Sequence, residues 1–501
     1  MPCPHPRCPG TLPGARRRRA DVLRDHPGGA AQGVHLGRDV LDSGDERDDE
    51  PGHPLPGREG LQDLSHLREA AMSDSSPSIP LPRDERRQVV LGLLRNPSFV
   101  ALWSGQLLSQ VGDRFRFVAV LAIIGQMTDD PLAITFLALS VTGSQVAFGL
   151  LGGAAADRFD RKHVMIIADL LRGLLVLPVL LVDSPSHFWI IYVTAVVLEM
   201  VSVFFYPARN AALPGIIGEG QLLTANALMQ VSYIIALVIG SALAGILVGL
   251  LGTAFAILFD SATFFLSAMA VSVMRIPPPT TENHQGRPSP REIWEEIRAG
   301  ITFIRQRRDL TIVLIITAIA MLGIGAIIVL GLSYLNIRLN VQAEGFGYAV
   351  SMMGVGILIG GVVLSRLAGR MPANVLVGGS LVIVGLAIIA FAAAANYAVV
   401  LLTTALIGLC LVIARAALDT FTQALVPDEM LGRVQAAVNM TIAISTTLAQ
   451  GLAGLMAKVV NSVEAVFMMA GGVTVVAGVA AIVTLREAAA EMARNRLVRA
   501  P

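Results

Sequence analysis

The sequence predicts an all-α integral membrane protein, with twelve transmembrane helices arranged as two six-helix pseudo-repeats. Three observations carry that expectation. The mean hydropathy is +0.65, with 54% hydrophobic and only 15% charged residues, whereas about a quarter of the residues of a soluble protein are charged. From Ser98 onward, apolar runs recur at about the twenty-residue length that a helix needs to cross a bilayer core. Three pairs of similar segments also lie 208 or 209 residues apart, as a duplicated unit would place them.

The apolar runs fall at 98–126, 131–154, 163–183, 187–207, 224–249, 253–274, 310–335, 346–367, 374–395, 398–420, 434–457 and 464–485. Backbone groups in lipid must be bonded within their own segment, so each run reads as a helix. The paired segments are "GGAAADRFDRK" with "GGVVLSRLAGR", "GSALAG" with "AQGLAG", and "PGIIGEGQLLTANAL" with "QALVPDEMLGRVQAA". Parallel halves of this kind place a substrate path at their interface. The organisation expected is a tail at 1–82, a six-helix bundle at 98–274, a linker at 275–309, a second bundle at 310–485 and a tail at 486–501.

Residues 1–82 are rich in Pro, Gly, Arg, Asp and His, and hold no run like the apolar region of a signal peptide. They read as a disordered cytoplasmic tail, or as sequence translated ahead of a true start at Met72. "CPHPRC" without a second cluster makes a weak metal site, and none is expected. "GARRRRA" reads as a solvated charge run. In the linker, Ser289, Pro290 and Glu292 look like the N-cap, first residue and capping-box partner of a helix. Ile293, Ile297, Ile301 and Ile304 share one face of it, which fits a helix lying on the membrane surface.

With the first helix starting in the cytoplasm, basic residues outside the spans divide 22 inside to 2 outside, the latter being Arg338 and Lys458. The positive-inside rule then puts both termini in the cytoplasm.

Charges within spans are costly and face a cavity or a partner. Gln106, Gln110, Asp113 and Phe117 form a polar stripe on the first helix, and Asp113, Arg114 and Arg116 are expected past the midplane, toward the outside. Asp113 and Arg116, three apart, form either a structural pair or a proton or cation site. Glu199 lies midway along the fourth span as its one interior charge, with no opposite charge within a turn. A carboxylate so placed can exchange protons near neutral pH, which makes Glu199 the candidate for proton coupling. Asp260 is expected to hydrogen-bond Ser261 or Thr263, with a transport role as the other reading. Asp169 with Arg172, and Arg415 with Asp419, read as structural pairs. Gly240, Ala244, Gly245 and Gly249 allow helices to approach closely. No phosphate-binding loop or nucleophile set occurs, so neither an enzyme nor a cofactor is expected. The expected partners are the lipid bilayer and a small-molecule substrate, with no nucleic acid, and the chain is expected to be a monomer.

Two six-helix halves, a long central loop and the turn "GGAAADRFDRK" resemble the major facilitator superfamily, whose loop between helices 2 and 3 reads G-x-x-x-D-R-x-G-R-R/K. Gly153, Asp157, Arg158, Arg161 and Lys162 fit that pattern, and Asp160 stands where Gly is usual, at a sharp turn. "FFYPARNAALPGII" with "LLTANAL", and later "PDEMLGRV", resemble the drug-exporter branch that includes macrolide-efflux and enterobactin-export proteins. Ser241 replaces the proline usual in that branch's helix 5, and the arginine that many drug/proton antiporters carry within helix 4 is missing. The resemblance covers about 95–490. It implies alternating-access export of a small amphipathic or lipophilic organic compound, drug-like or siderophore-like, driven by the proton gradient across a bacterial inner membrane. It also implies that Asp157 latches the start of helix 11, expected near Arg433, when the cytoplasmic side closes. Uptake by symport, and a transport-dead sensor or assembly protein of the same fold, stay open.

Overall fold

The computed structural model describes residues 83–156, 160–275, 290–341 and 343–490. The tail motifs, Asp157 and Arg158 of the turn, and the expected N-cap Ser289 lie outside the described residues.

A short helix, α1 (Arg83–Arg95), leads into α2 (Pro97–Met127). Asn96 between them caps α2: its side chain accepts from the amides of Ser98 and Phe99, and Pro97 takes the first position. There follow α3 (Pro131–Ala156), α4 (Arg161–Leu175) with a 3-10 turn at Leu177–Leu181, and α5 (Phe188–Ile217). Then come α6 (Leu222–Ile235), a π turn at Ala236–Gly240, and α7 (Ser241–Ser272). The linker contributes α8 (Pro290–Gln306). The second half holds α9 (Arg308–Leu339), α10 (Ala343–Leu367), α11 (Ala373–Ala392), α12 (Tyr397–Leu425), α13 (Asp428–Val460) and α14 (Val463–Thr484).

Among the described residues, ten stretches are long and apolar enough to cross a membrane. One of them, Leu222–Ser272, has 51 residues, about 75 Å of helix for a core of about 30 Å. It turns at Gly252, whose φ of 84° and ψ of 170° are open to glycine and strained for other residues. Gly240, before the turn, packs on Val111 and Arg114 of α2, and Asp260, after it, packs on Gly112. Both lie at one level of α2, so the chain reverses at Gly252 into two antiparallel arms. α2 is 31 residues long, and a polar stripe with three charges sets it apart from the ten. Each of the twelve segments expected from the sequence falls on a helix or a helical arm.

Three boundaries and one surface differ from expectation. The fourth helix runs ten residues beyond 207, to Ile217, carrying Pro207 and Pro214 inside it. A proline in a membrane helix is tolerated where neighbours satisfy the freed carbonyl, so an apparent end is an interior. The eleventh helix starts at Asp428 rather than near Arg433. Asp160 has φ −58°, outside the left-handed region, and serves as the N-cap of α4 by accepting from the His163 amide. That bond holds the Asp160 carboxyl below its ordinary range. The Asp160 side chain satisfies an amide of the first turn that glycine would leave to water. Finally, α8 commits part of its apolar face to the protein. Ile304 is buried among Val434, Ala437 and Val438 of α13, and Gly300 backs onto the Arg433 carbonyl, while Ile301 stays exposed.

The end of the bundle at which α2 and α4 begin carries Arg161, Lys162, Arg366, Arg370 and Arg433, and is termed the basic end. The specific contacts between the two halves described here lie toward the far end. Thr142 Oγ1 on α3 donates to Gln450 Oε1 on α13 at 2.8 Å, and Gly454 packs on Thr135. The first arm of α7 meets α10 where Gly245 and Gly249 pack on Glu344, and Gly347 on the Ser241 carbonyl. In the π turn, the Val238 carbonyl accepts from Ser351 Oγ across the interface at 2.6 Å. The end loops add Asn336 Nδ2 donating to Asp129 Oδ1 at 3.1 Å, and Lys458 at 4.0 Å from Asp130.

Candidate functional site

The interior charges of the first half gather on α2, α4, α5 and the second arm of α7. Arg116 bridges two carboxylates: its Nη2 donates to Asp113 Oδ1 at 2.5 Å and its Nε to Asp260 Oδ2 at 2.8 Å. The Asp260 side chain is 0% exposed, against 21% for Arg116 and 25% for Asp113. Asp260 is therefore the buried anchor of an ion triad. This corrects the expected Ser261 or Thr263 partner: Ser261 donates to the Gly173 carbonyl, and Thr263 to the backbone oxygen of Asp260. Gly112 makes the triad possible, since a methyl there would lie 2.2 Å from Thr263 Oγ1 and 2.7 Å from Asp260 Oδ1.

Deeper toward α4, Asp169 pairs with Arg172 and accepts from Ser267 Oγ at 2.7 Å. The Arg172 guanidinium lies over the rings of Phe205 and Phe264. Both members are buried and bonded to each other, the guanidinium resting on two rings and only its Nε left without an acceptor, so this pair is structural. Arg415 likewise bonds Asp419 and Asn439 near the basic end of the second half.

Glu199 on α5 is half-buried and accepts from Gln145 Nε2 of α3 at 3.1 Å. It also lies near enough to Arg116 to interact with its charge. The isolation seen along the chain is thus only local: in space Glu199 lies within electrostatic reach of Arg116.

Toward the basic end, α2, α5 and α6 enclose a cavity of about 750 Å³, lined in part by Gln110, Asp113, Arg114, Tyr206, Arg209 and Tyr233. Arg209 Nη1 donates to Gln106 Oε1 at 3.3 Å and its Nη2 to Asn210 Oδ1 at 2.9 Å, with its guanidinium 5.3 Å from the Tyr206 ring centre. The Arg114 guanidinium lies 5.6 Å from the Tyr233 ring centre. Gln110 Oε1 and Arg114 Nε are buried without hydrogen-bond partners. Gln106, Gln110 and Asp113 are thus brought to this cavity and its wall, while Arg116 and Asp260 stand behind it; Asp113 and Arg114, expected on the outer side of the midplane, instead line a cavity that reaches toward the basic end. The sequence reading placed Arg114 inside the first helix without giving it a role, and it missed Tyr206, Tyr233 and above all Arg209, which it left in a cytoplasmic loop with Glu199 as the only interior charge of its helix. A signal was present: "FFYPARNAALPG" keeps apolar residues at helical spacing on both sides of Arg209.

The described part of the turn between α3 and α4 binds within its own half. Arg161 Nη1 donates to the Ala211 carbonyl of α5 at 2.8 Å, and Lys162 Nζ to the Met274 carbonyl just past α7 at 2.7 Å. Lys162 thus sits at the C-terminal end of α7, where a cation is favourable. Gly153 lies in the last turns of α3.

Two helical halves joined toward one end, with a polar cavity toward the other, have the architecture of an alternating-access membrane transporter. The family model of the Major Facilitator Superfamily matches residues 102–449 and, in an overlapping match, 313–500, and the chain belongs to that superfamily. It is a multi-pass membrane transporter. The enterobactin exporter EntS of Citrobacter koseri is 28% identical over 389 residues, covering 74% of this chain and 89% of that protein. Macrolide efflux protein A of Streptococcus pyogenes is 22% identical over 347 residues, covering 67% of this chain and 83% of that protein. These relatives bear out the resemblance read from the motifs. The crystal structure of the nucleoside transporter NupG superposes with a TM-score of 0.62 at 12% identity, over 76% of this chain and 98% of that one, which supports the fold.

Proposed function

We propose that the chain exports a small amphipathic or lipophilic organic compound across a bacterial inner membrane in exchange for protons. Both termini are cytoplasmic in this reading, so the cavity toward the basic end opens inward and takes cargo from the cytoplasm. The observation that carries proton coupling is Glu199, a half-buried carboxylate whose hydrogen-bond partner is the neutral Gln145 and which lies within electrostatic reach of Arg116. Gln145 can donate to the carboxylate through Nε2 or accept from the protonated acid through Oε1, so it can stay bonded to Glu199 in both protonation states. When the far end opens, Glu199 takes a proton from outside and carries it inward on the return. The export proteins among the relatives support the direction. Asp157 is proposed to latch onto the start of α13 when the basic end closes, since a helix N-terminus favours a carboxylate.

The test uses inverted membrane vesicles with an acid interior, challenged with a panel of lipophilic drugs and siderophores. Cargo-dependent dissipation of the gradient is expected for the wild type, falling at least tenfold in Glu199→Gln. Dissipation that persists in the variant would remove Glu199 from the coupling step. If no compound moves protons in the wild type, proton-driven export itself is wrong.

A further inference from the structure

The cavity walled by α2, α5 and α6 contains two guanidiniums that no carboxylate answers. Asp113, the acidic residue of its wall, is bonded to Arg116, which Asp260 holds from behind. Among the described residues, Arg209 has the neutral amides of Gln106 and Asn210 and the face of Tyr206. Arg114 has the face of Tyr233, and its Nε has no acceptor at all. Neither arginine makes an ion pair among the described residues. A positive charge in a partly enclosed site is expensive without a counter-charge, and a fork of N–H donors suits the two oxygens of a carboxylate. Leu213, Leu222 and Met229 provide apolar wall beside these donors, and about 750 Å³ accommodates a ligand of fused-ring size.

We infer that the cargo is an amphipathic organic anion, its acidic group held by Arg114 and Arg209 and its apolar body laid against Leu213, Leu222 and Met229. The inference rests on the cytoplasm-facing export reading above and narrows its cargo class. It also suits the energetics of that reading, because a negative cell interior drives an anion outward.

The test is isothermal titration of the purified full-length protein in detergent with three probes of one shape: 2-naphthoate, 2-naphthamide and 2-naphthylmethylammonium. The carboxylate is expected to bind at least tenfold more tightly than the amide and the ammonium. In Arg114→Gln and in Arg209→Gln the ratio of acid to amide is expected to fall below threefold, and Arg209→Lys to keep an intermediate preference. The comparison of probes on the wild type needs no variant to fold. Equal binding of acid and amide, preference for the ammonium, or no saturable binding of the acid overturns the inference. Export of a neutral compound in the vesicle experiment would then leave the transport reading standing without it.

Discussion

Arg116→Met is expected to destabilise the first half by about 3 kcal/mol, because it strands a carboxylate that has no route to water. An aspartate at the centre of a membrane helix costs about 2.5–3.5 kcal/mol on insertion scales, and removing one partner of a buried pair leaves that cost uncompensated. Asp260, with a side chain 0% exposed, draws its charged partner from Arg116, and its Oδ1 already lacks a hydrogen bond. Asp113 is different: at 25% side-chain exposure it borders the cavity and keeps solvent when Arg116 is gone. The double variant Arg116→Met with Asp260→Asn removes both buried charges and is expected to recover most of the loss, since a neutral amide is far cheaper to bury. Unfolding by titration with sodium dodecyl sulfate measures both. If the double variant is no more stable than the single one, the damage comes from lost packing of the arginine stem, and the triad is not what ties α2 to α7.

The first half carries its charges midway through the bundle, whereas the second half adds close glycine contacts to an apolar and aromatic core. The difference is legible in part. Helix positions follow from run length and hydropathy, and the duplication follows from three segments in register, because both are properties of contiguous sequence. The Asp113–Arg116 and Asp169–Arg172 pairs follow from a spacing of three. The third member of the triad does not: Asp260 is 144 residues from Arg116, and no local pattern specifies a contact made by two helices packing through Gly112. Arg209 is hidden for another reason. Pro207 in a soluble helix would argue for a terminus, and only lipid and neighbouring helices make it an interior residue. Glu199 was legible as an unusual carboxylate, but its Gln145 partner, on another helix, was not.

Gly347→Val is expected to leave the protein folded and to cut transport about fivefold or more, by preventing the far end from closing. A methyl at Gly347 of α10 would lie 2.7 Å from the Ser241 carbonyl oxygen and 3.3–3.4 Å from the Gly245 backbone on the first arm of α7. These neighbours are backbone, so no side chain can rotate away, and the helices must separate. Separation also weakens the Ser351–Val238 hydrogen bond and the packing of Glu344 on Gly245 and Gly249. Overpacking of this kind costs about 1–3 kcal/mol, and a change of that size moves a two-state equilibrium about 5- to 150-fold. The cost falls only on the closed far end, because the contact joins the two halves and opens in the alternate state. Gly356→Val is the contrasting case. A methyl there would lie 1.9 Å from the Ala405 carbonyl oxygen on α12, a contact within one half that both states need, so loss of folded protein is expected instead. Spin labels in place of Asp130 and Lys458, an exposed pair 4.0 Å apart, report the far end directly, and removing so exposed a pair costs little. In Gly347→Val the short distance should give way to a longer one; if it persists together with normal transport, this glycine contact is not part of the closure.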